Sequence, residues 1–178
     1  SGAHARNITR ITSRVSETVL NKLLDFAITE IGDPPAKFAF LTLGSEGREE
    51  QTLATDQDNA IIIEDFDEEN KEHVGEYFPI LSEKVCTWLD QVGYNFCKGE
   101  VMAMNPKWCQ PLTVWKNYFS RWITKAKSQD LLEVSIFFDF RCMYGEASLV
   151  AELREHIFRR VADKDVFYYQ LAQNALLF

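Results

Sequence analysis

The 178 residues predict an α+β domain, a small mixed sheet flanked by helices, with a helix before it and helices after it. Three observations carry this expectation. A helical stripe occupies the first thirty residues, short runs of strand formers follow with helical segments between them, and the last thirty residues show helical patterning only.

Taken in order, Ile8, Ile11, Val15, Val19, Leu23, Ala27 and Ile31 recur at steps of three or four, the stripe of an amphipathic helix over 7–31. Gly32, Pro34 and Pro35 stop it. Lys37 to Leu43 is a short apolar run that reads as a buried strand ending at Gly44. The segment 44–58 is polar, and Ala60 to Ile63 reads as a second buried strand. An acidic loop, Glu64 to Asn70, leads into a helix reaching about Gln91, which Pro79 should kink or split. From Tyr94 to Pro111 a brief strand at Val101-Met102-Ala103 and a long loop are expected. Pro111 opens a helix to about Lys125 with Trp115, Phe119 and Trp122 on one face. Val134 to Tyr144 is a third strand closed by Gly145, and helices over about 146–162 and 164–177 finish the chain. The expected units are 1–34, an N-terminal helix; 35–145, the sheet-bearing domain; and 146–178, the C-terminal helices.

Nineteen Lys and Arg against 27 Asp and Glu give a net charge of −8, which argues against general attraction to nucleic-acid backbones or anionic membranes. No apolar run approaches the roughly 20 residues of a membrane span, so a cytoplasmic protein is expected. Cys86, Cys97, Cys109 and Cys142 lack zinc spacing and read as reduced, mostly buried thiols. Several signatures fail: G-S-E-G is not a hydrolase elbow, no P-loop or dinucleotide motif occurs, and the acids at 65–76 lack the glycine of a calcium loop.

The most informative stretch runs from Gly44 to Asn59. A strand that ends in Gly44-Ser45 can turn sharply and aim backbone amides at an anion, with the Ser45 hydroxyl as an added donor. Asp56 and Asp58 follow, two apart, and in extended backbone they share a face. Carboxylates about 4 Å apart repel by about 4 kcal/mol at an effective dielectric of 20, so a bridging divalent cation is the natural answer beside a phosphate seat. Asp139, within the strand candidate at 134–144, is a third acid, on the same face as Arg141 if period two holds. Together Asp56, Asp58 and Asp139 would make a three-carboxylate metal site.

The Gly-Ser turn, the D-x-D pair and the later aspartate resemble the nucleotidyltransferase superfamily of DNA polymerase beta type. The run L-G-S-E-G-R-E-E-Q-T-L-A-T-D-Q-D-N-A is similar to bacterial nucleotidyltransferases related to the protein-PII uridylyltransferase, as are C-K-G-E-V-M-A-M-N-P-K-W at 97–108 and F-F-D-F-R at 137–141. The resemblance implies a polymerase beta-like fold and transfer of a nucleoside monophosphate from a nucleoside triphosphate to an acceptor hydroxyl, with a regulatory protein as a candidate acceptor. It implies Gly44 and Ser45 on the β and γ phosphates, and Asp56, Asp58 and Asp139 on two magnesium ions, with manganese as a substitute. Asp139 would also take a proton. Arg48 is a candidate for phosphate charge, and Lys98, Lys107 and Arg141 for a positive lining. It further implies attached regulatory domains and a helical substrate-binding domain that begins in the last two helices, with Ser1-Gly2 a cloning remnant and the chain an excised fragment. Trp108 could border the nucleotide pocket. The alternative is a nucleotide-binding regulatory module without turnover; a pure scaffold ranks third, having no use for a phosphate turn facing paired aspartates.

Overall fold

The computed structural model describes residues 2–44, 56–125 and 135–162, with side chains from residue 12 onward except Lys125. Among the described residues the α-helices and sheet strands follow in the order α1 (Gly2–Ile31), β1 (Phe38–Leu43), β2 (Asn59–Ile63), α2 (Lys71–Gln91), β3 (Cys109–Pro111), α3 (Leu112–Lys125), β4 (Phe140–Gly145) and α4 (Ala147–Val161). The strands form one mixed sheet in the order β3-β2-β1-β4. β1 is antiparallel to both β2 and β4, and β2 is parallel to β3. The expected α+β fold is therefore present, and it is nucleotidyltransferase-like.

Every residue of β1 and β2 is buried because helices cover both faces of the sheet. Period two sends Phe38, Phe40, Ile61 and Ile63 against Leu20, Leu24 and Ala27 of α1 and Phe78, Leu81 and Val85 of α2. Ala39, Leu41, Leu43, Ala60 and Ile62 point the other way, to Trp115 and Phe119 of α3 and Leu149, Val150 and Leu153 of α4. This second face is rich in rings: Phe137 lies 4.3 Å from Trp108 and 5.2 Å from Trp122, centroid to centroid. Trp108 is buried in that cluster, with its indole N–H donating to the Glu100 carbonyl at 3.1 Å. Among the described residues, no helix is long and apolar enough to cross a membrane.

Four expectations need correction. The stripe on α1 is only partly as expected: Ala27 is buried and Leu23 and Ile31 pack on the core, but Val15 is 54% exposed, and the buried face takes in Ser13, Ser16, Leu20 and Leu24 instead. Two serines sit where apolar residues were sought, and the Ser16 hydroxyl is satisfied by the Tyr94 hydroxyl at 2.8 Å. Pro79 does not split α2, which runs unbroken from Lys71 to Gln91. Pro79 and Gly75, whose carbonyl loses its intrahelical partner to the missing N–H, are both exposed, so water can serve that carbonyl. Val101-Met102-Ala103 is not a strand; the strand that joins the sheet from this region is β3, which ends at Pro111, and the expected helix follows at once, from Leu112 to Lys125. Ser135–Phe138 is a 3-10 turn, not the first half of a strand, because the turn puts Phe137 into the aromatic cluster. The expected helix over 164–177 lies outside the described residues.

Gly145, at φ 85, closes β4 against β1, and a Cβ there would overlap the Phe38 carbonyl oxygen. Gly32, at φ 96, has open space around it. Gly145→Ala should therefore cost about 3 kcal/mol, and Gly32→Ala only about 1 kcal/mol, in urea unfolding. Equal losses would show that backbone conformation alone, not the close approach to Phe38, sets the requirement.

Candidate functional site

The site takes shape where β1 ends. The Leu43 amide donates to the Asp58 carbonyl at 3.0 Å, and the next amide, that of Gly44, donates to the Asp139 carbonyl at 2.9 Å. The last residue of β1 and the glycine that follows it thus hold the residue before β2 on one side and the residue before β4 on the other. Gly44 takes the left-handed conformation, φ 58, which a side chain would make costly. Space is also short: a Cβ at Gly44 would come 2.9 Å from Ile136 Cγ1 and 4.0 Å from Asp58 Oδ2. The Asp58 carboxyl therefore stands against the Gly44 backbone, as the spacing of the two motifs suggested.

Asp56 is exposed and Asp58 half-buried. Burial pushes the Asp58 carboxyl above its ordinary value of 3.8; the Cys97 side chain, hydrogen-bonded to it, works in the opposite direction, and the charge of Asp56 adds to the rise. The two acids are thus close enough to feel one another. Asp139 joins this corner through its backbone. Among the described residues, no group of three His, Cys, Asp or Glu side chains is placed to hold a metal ion, so the three-carboxylate cluster is not assembled there. The period-two argument that put Asp139 beside Arg141 also lapses, because the strand begins only at Phe140. Ser45 and Arg48 lie outside the described residues.

The remaining basic candidates are dispersed. Lys98 is exposed in the loop that carries Cys97, Lys107 Nζ sits 4.5 Å from the centre of the Trp108 ring, and the Arg141 guanidinium faces Glu17 of α1 at 3.6 Å. Donor oxygens are supplied by Asp56 and Asp58, a hard set that suits magnesium better than zinc. What sequence reasoning passed over is the pair of amides interleaved with these acids. Gln57 and Asn59 are each 2% exposed and thoroughly hydrogen-bonded. Their signal was present in D-Q-D-N, where period two turns the amides inward as it turns the acids outward.

A small mixed sheet with acids gathered at the end of its central strands places the protein among nucleotidyltransferase-like α+β domains. The family model described as "Putative nucleotidyltransferase DUF294" matches residues 1–129, well over half of the chain, and the chain belongs to that family. The matched stretch includes Gly44, Asp56 and Asp58 and stops before Asp139. No curated protein matches the chain at the required significance.

Two predictions concern this corner. A carboxyl that holds its proton more tightly when folded loses stability as pH rises above its unfolded value, here 3.8. Asp58→Asn should accordingly raise the melting temperature at pH 7, and the gain should fade as pH approaches 3.8; a gain independent of pH would contradict it. Glu100 sits at φ 55 with its carbonyl accepting from both Trp108 Nε1 and Asn105 Nδ2 at 3.1 Å. Glu100→Gly should stabilise by about 1 kcal/mol in urea unfolding, since glycine removes the left-handed penalty.

Proposed function

We propose that this domain is a magnesium-dependent nucleotidyltransferase that moves a nucleoside monophosphate from a nucleoside triphosphate to an acceptor hydroxyl. The observation that carries the reading is the acid pair Asp56 and Asp58 set against the Gly44 turn at the end of the sheet, with Asp139 held on the other side of that glycine. Membership of a family described as nucleotidyltransferase supports the class.

A divalent ion fits the donors present: it would relieve both the repulsion between the two carboxylates and the burial that penalises the Asp58 charge. Asp56 and Asp58 would hold magnesium, with manganese able to substitute. When bound, the metal neutralises triphosphate charge and aligns its oxygens. The amides of Gly44 and Ser45 would seat the β and γ phosphates, with Arg48 compensating their charge. The acceptor oxygen attacks the α phosphorus, a new P–O bond forms, the bond to the β-phosphate oxygen breaks, and pyrophosphate leaves. Asp139 takes the proton lost by the acceptor hydroxyl. The acceptor is assigned to a regulatory protein, uridylylated or adenylylated on a side-chain hydroxyl, and the supply of triphosphate places the reaction in the cytoplasm.

Calorimetry with ATP and UTP, with and without magnesium, tests the binding step. Asp56→Asn and Asp58→Asn should each weaken the magnesium-dependent affinity by about 100-fold or more, as loss of a direct ligand exceeds the 10–100-fold typical of outer-sphere partners. Unchanged affinity in both variants would remove the metal role. Labelling from radioactive triphosphates, followed by pyrophosphate release with the labelled acceptor, tests transfer. Magnesium-dependent binding without any transfer would favour a regulatory nucleotide-binding module instead.

A further inference from the structure

Segment 56–59 lies at the limit of regular strand pairing: Asn59 still pairs with Thr42 of β1, while Gln57 makes only an isolated parallel bridge to Phe96. On the β1 side the last backbone bond is that from Leu43 to the Asp58 carbonyl, and β1 ends there. On the other side β3 pairs only with Ile61 to Ile63. The acids therefore sit just before β2, beyond its regular strand partners and next to the turn at Gly44.

Side-chain amides take over the anchoring. Gln57 Nε2 donates to the Cys86 carbonyl in α2 and to the Tyr94 carbonyl, each at 3.0 Å. Its Oε1 accepts from Asn59 Nδ2 at 3.2 Å. Asn59 Oδ1 in turn accepts from the Ala103 amide at 2.8 Å and from the Cys86 thiol at 3.5 Å. The backbone follows the same loop, with the Gln57 amide bonded to the Asn95 carbonyl at 2.9 Å and the Asn59 amide to the Val101 carbonyl at 3.1 Å. Both amide side chains are buried, so each bond is shielded from competing water. Cys97, from the same loop, reaches the Asp58 carboxyl itself. Alternation along the chain does the rest: rotating Gln57 or Asn59 must rotate the acids beside it.

We infer that Gln57 and Asn59 are positioning residues that set the aim and separation of Asp56 and Asp58 by locking the segment to α2 and to loop 94–103. The inference rests on the reading of those acids as a magnesium pair. Both amides are buried, each 2% exposed, and so act on the acids from behind rather than on a substrate. An amide pair serving stability alone would leave metal binding intact in any variant that still folds; a positioning pair would not.

The test uses Gln57→Met and Asn59→Leu, which keep approximate shape and delete the hydrogen bonds. ATP and UTP are the probes, titrated with and without magnesium at temperatures well below each variant's own melting point. Asp58→Asn serves as the reference for loss of a ligand. The expected result is a fall of tenfold or more in the magnesium-dependent affinity with magnesium-free triphosphate binding unchanged. Unchanged binding in both conditions, while Asp58→Asn loses it, would overturn the positioning role and leave the acids' role standing. Loss in both conditions alike would also overturn it, since a collapsed pocket is not a misaimed pair. A wild-type protein without magnesium-dependent binding would remove the reading of the acids, and this inference with it. Should neither variant fold, the side-chain amide resonances of Gln57 and Asn59 in the wild-type protein decide: they should shift on adding magnesium and triphosphate but stay still in Asp58→Asn, and silence in the wild type would overturn the proposal.

Discussion

Two neighbouring peptide N–H groups, those of Leu43 and Gly44, bind carbonyls that belong to opposite sides of the sheet. This is possible only because β1 is the central antiparallel partner of both β2 and β4, with its end left free to turn. The consequence is convergence of residues far apart in sequence: position 58 and position 139 meet at one glycine. The fold does not need to bring loops together by chance, since register does the work. Register in turn is enforced by burial, because sliding β1 by one residue would exchange Phe38 and Phe40 with Ala39 and Leu41 between two cores of different shape.

The two cores divide labour. The face covered by α1 and α2 is mainly aliphatic and carries the anchors of Gln57 and Asn59, since Cys86 belongs to α2. The opposite face is aromatic, and its Phe137 is what bends Ser135–Phe138 into a tight turn just before Asp139. Each acid-bearing segment is thus shaped by a different layer. Polar groups within the first layer do not all find a partner: the Ser16 hydroxyl meets that of Tyr94, whereas the buried Ser13 hydroxyl meets none among the described residues.

Much of this was legible from residue order. β1 and β2 announced themselves as short runs of strand formers bounded by glycine and polar residues, and α3 as a stripe of rings. The juxtaposition of Gly44 with Asp58 followed from motif spacing and a strand on either side. What failed did so for identifiable reasons. The apolar run at 135–140 fits a strand and a 3-10 turn equally well, and only the distant Trp108 and Trp122 decide between them. β3 is three residues ending in a proline, a strand by virtue of its long-range partner rather than its composition. Buried serines on α1 hid part of the true stripe, since a search for apolar periodicity passes over small hydroxyls such as Ser13 and Ser16. The amides within D-Q-D-N went unnoticed because attention to charge obscures the neutral residues between charges.

The exposed Gly75 and Pro79 of α2 bear on how the chain acquires its fold. Relative to alanine, a helix interior loses about 1 kcal/mol at the glycine and about 3 kcal/mol at the proline, enough to leave an isolated 71–91 peptide largely without helical order. This segment links the parallel strands β2 and β3, so it can gain its shape only by condensing onto an already paired β1–β2 hairpin. Assembly should then proceed from the hairpin outward, with the anchor at Cys86, and hence the final setting of the acids, among the last contacts to form.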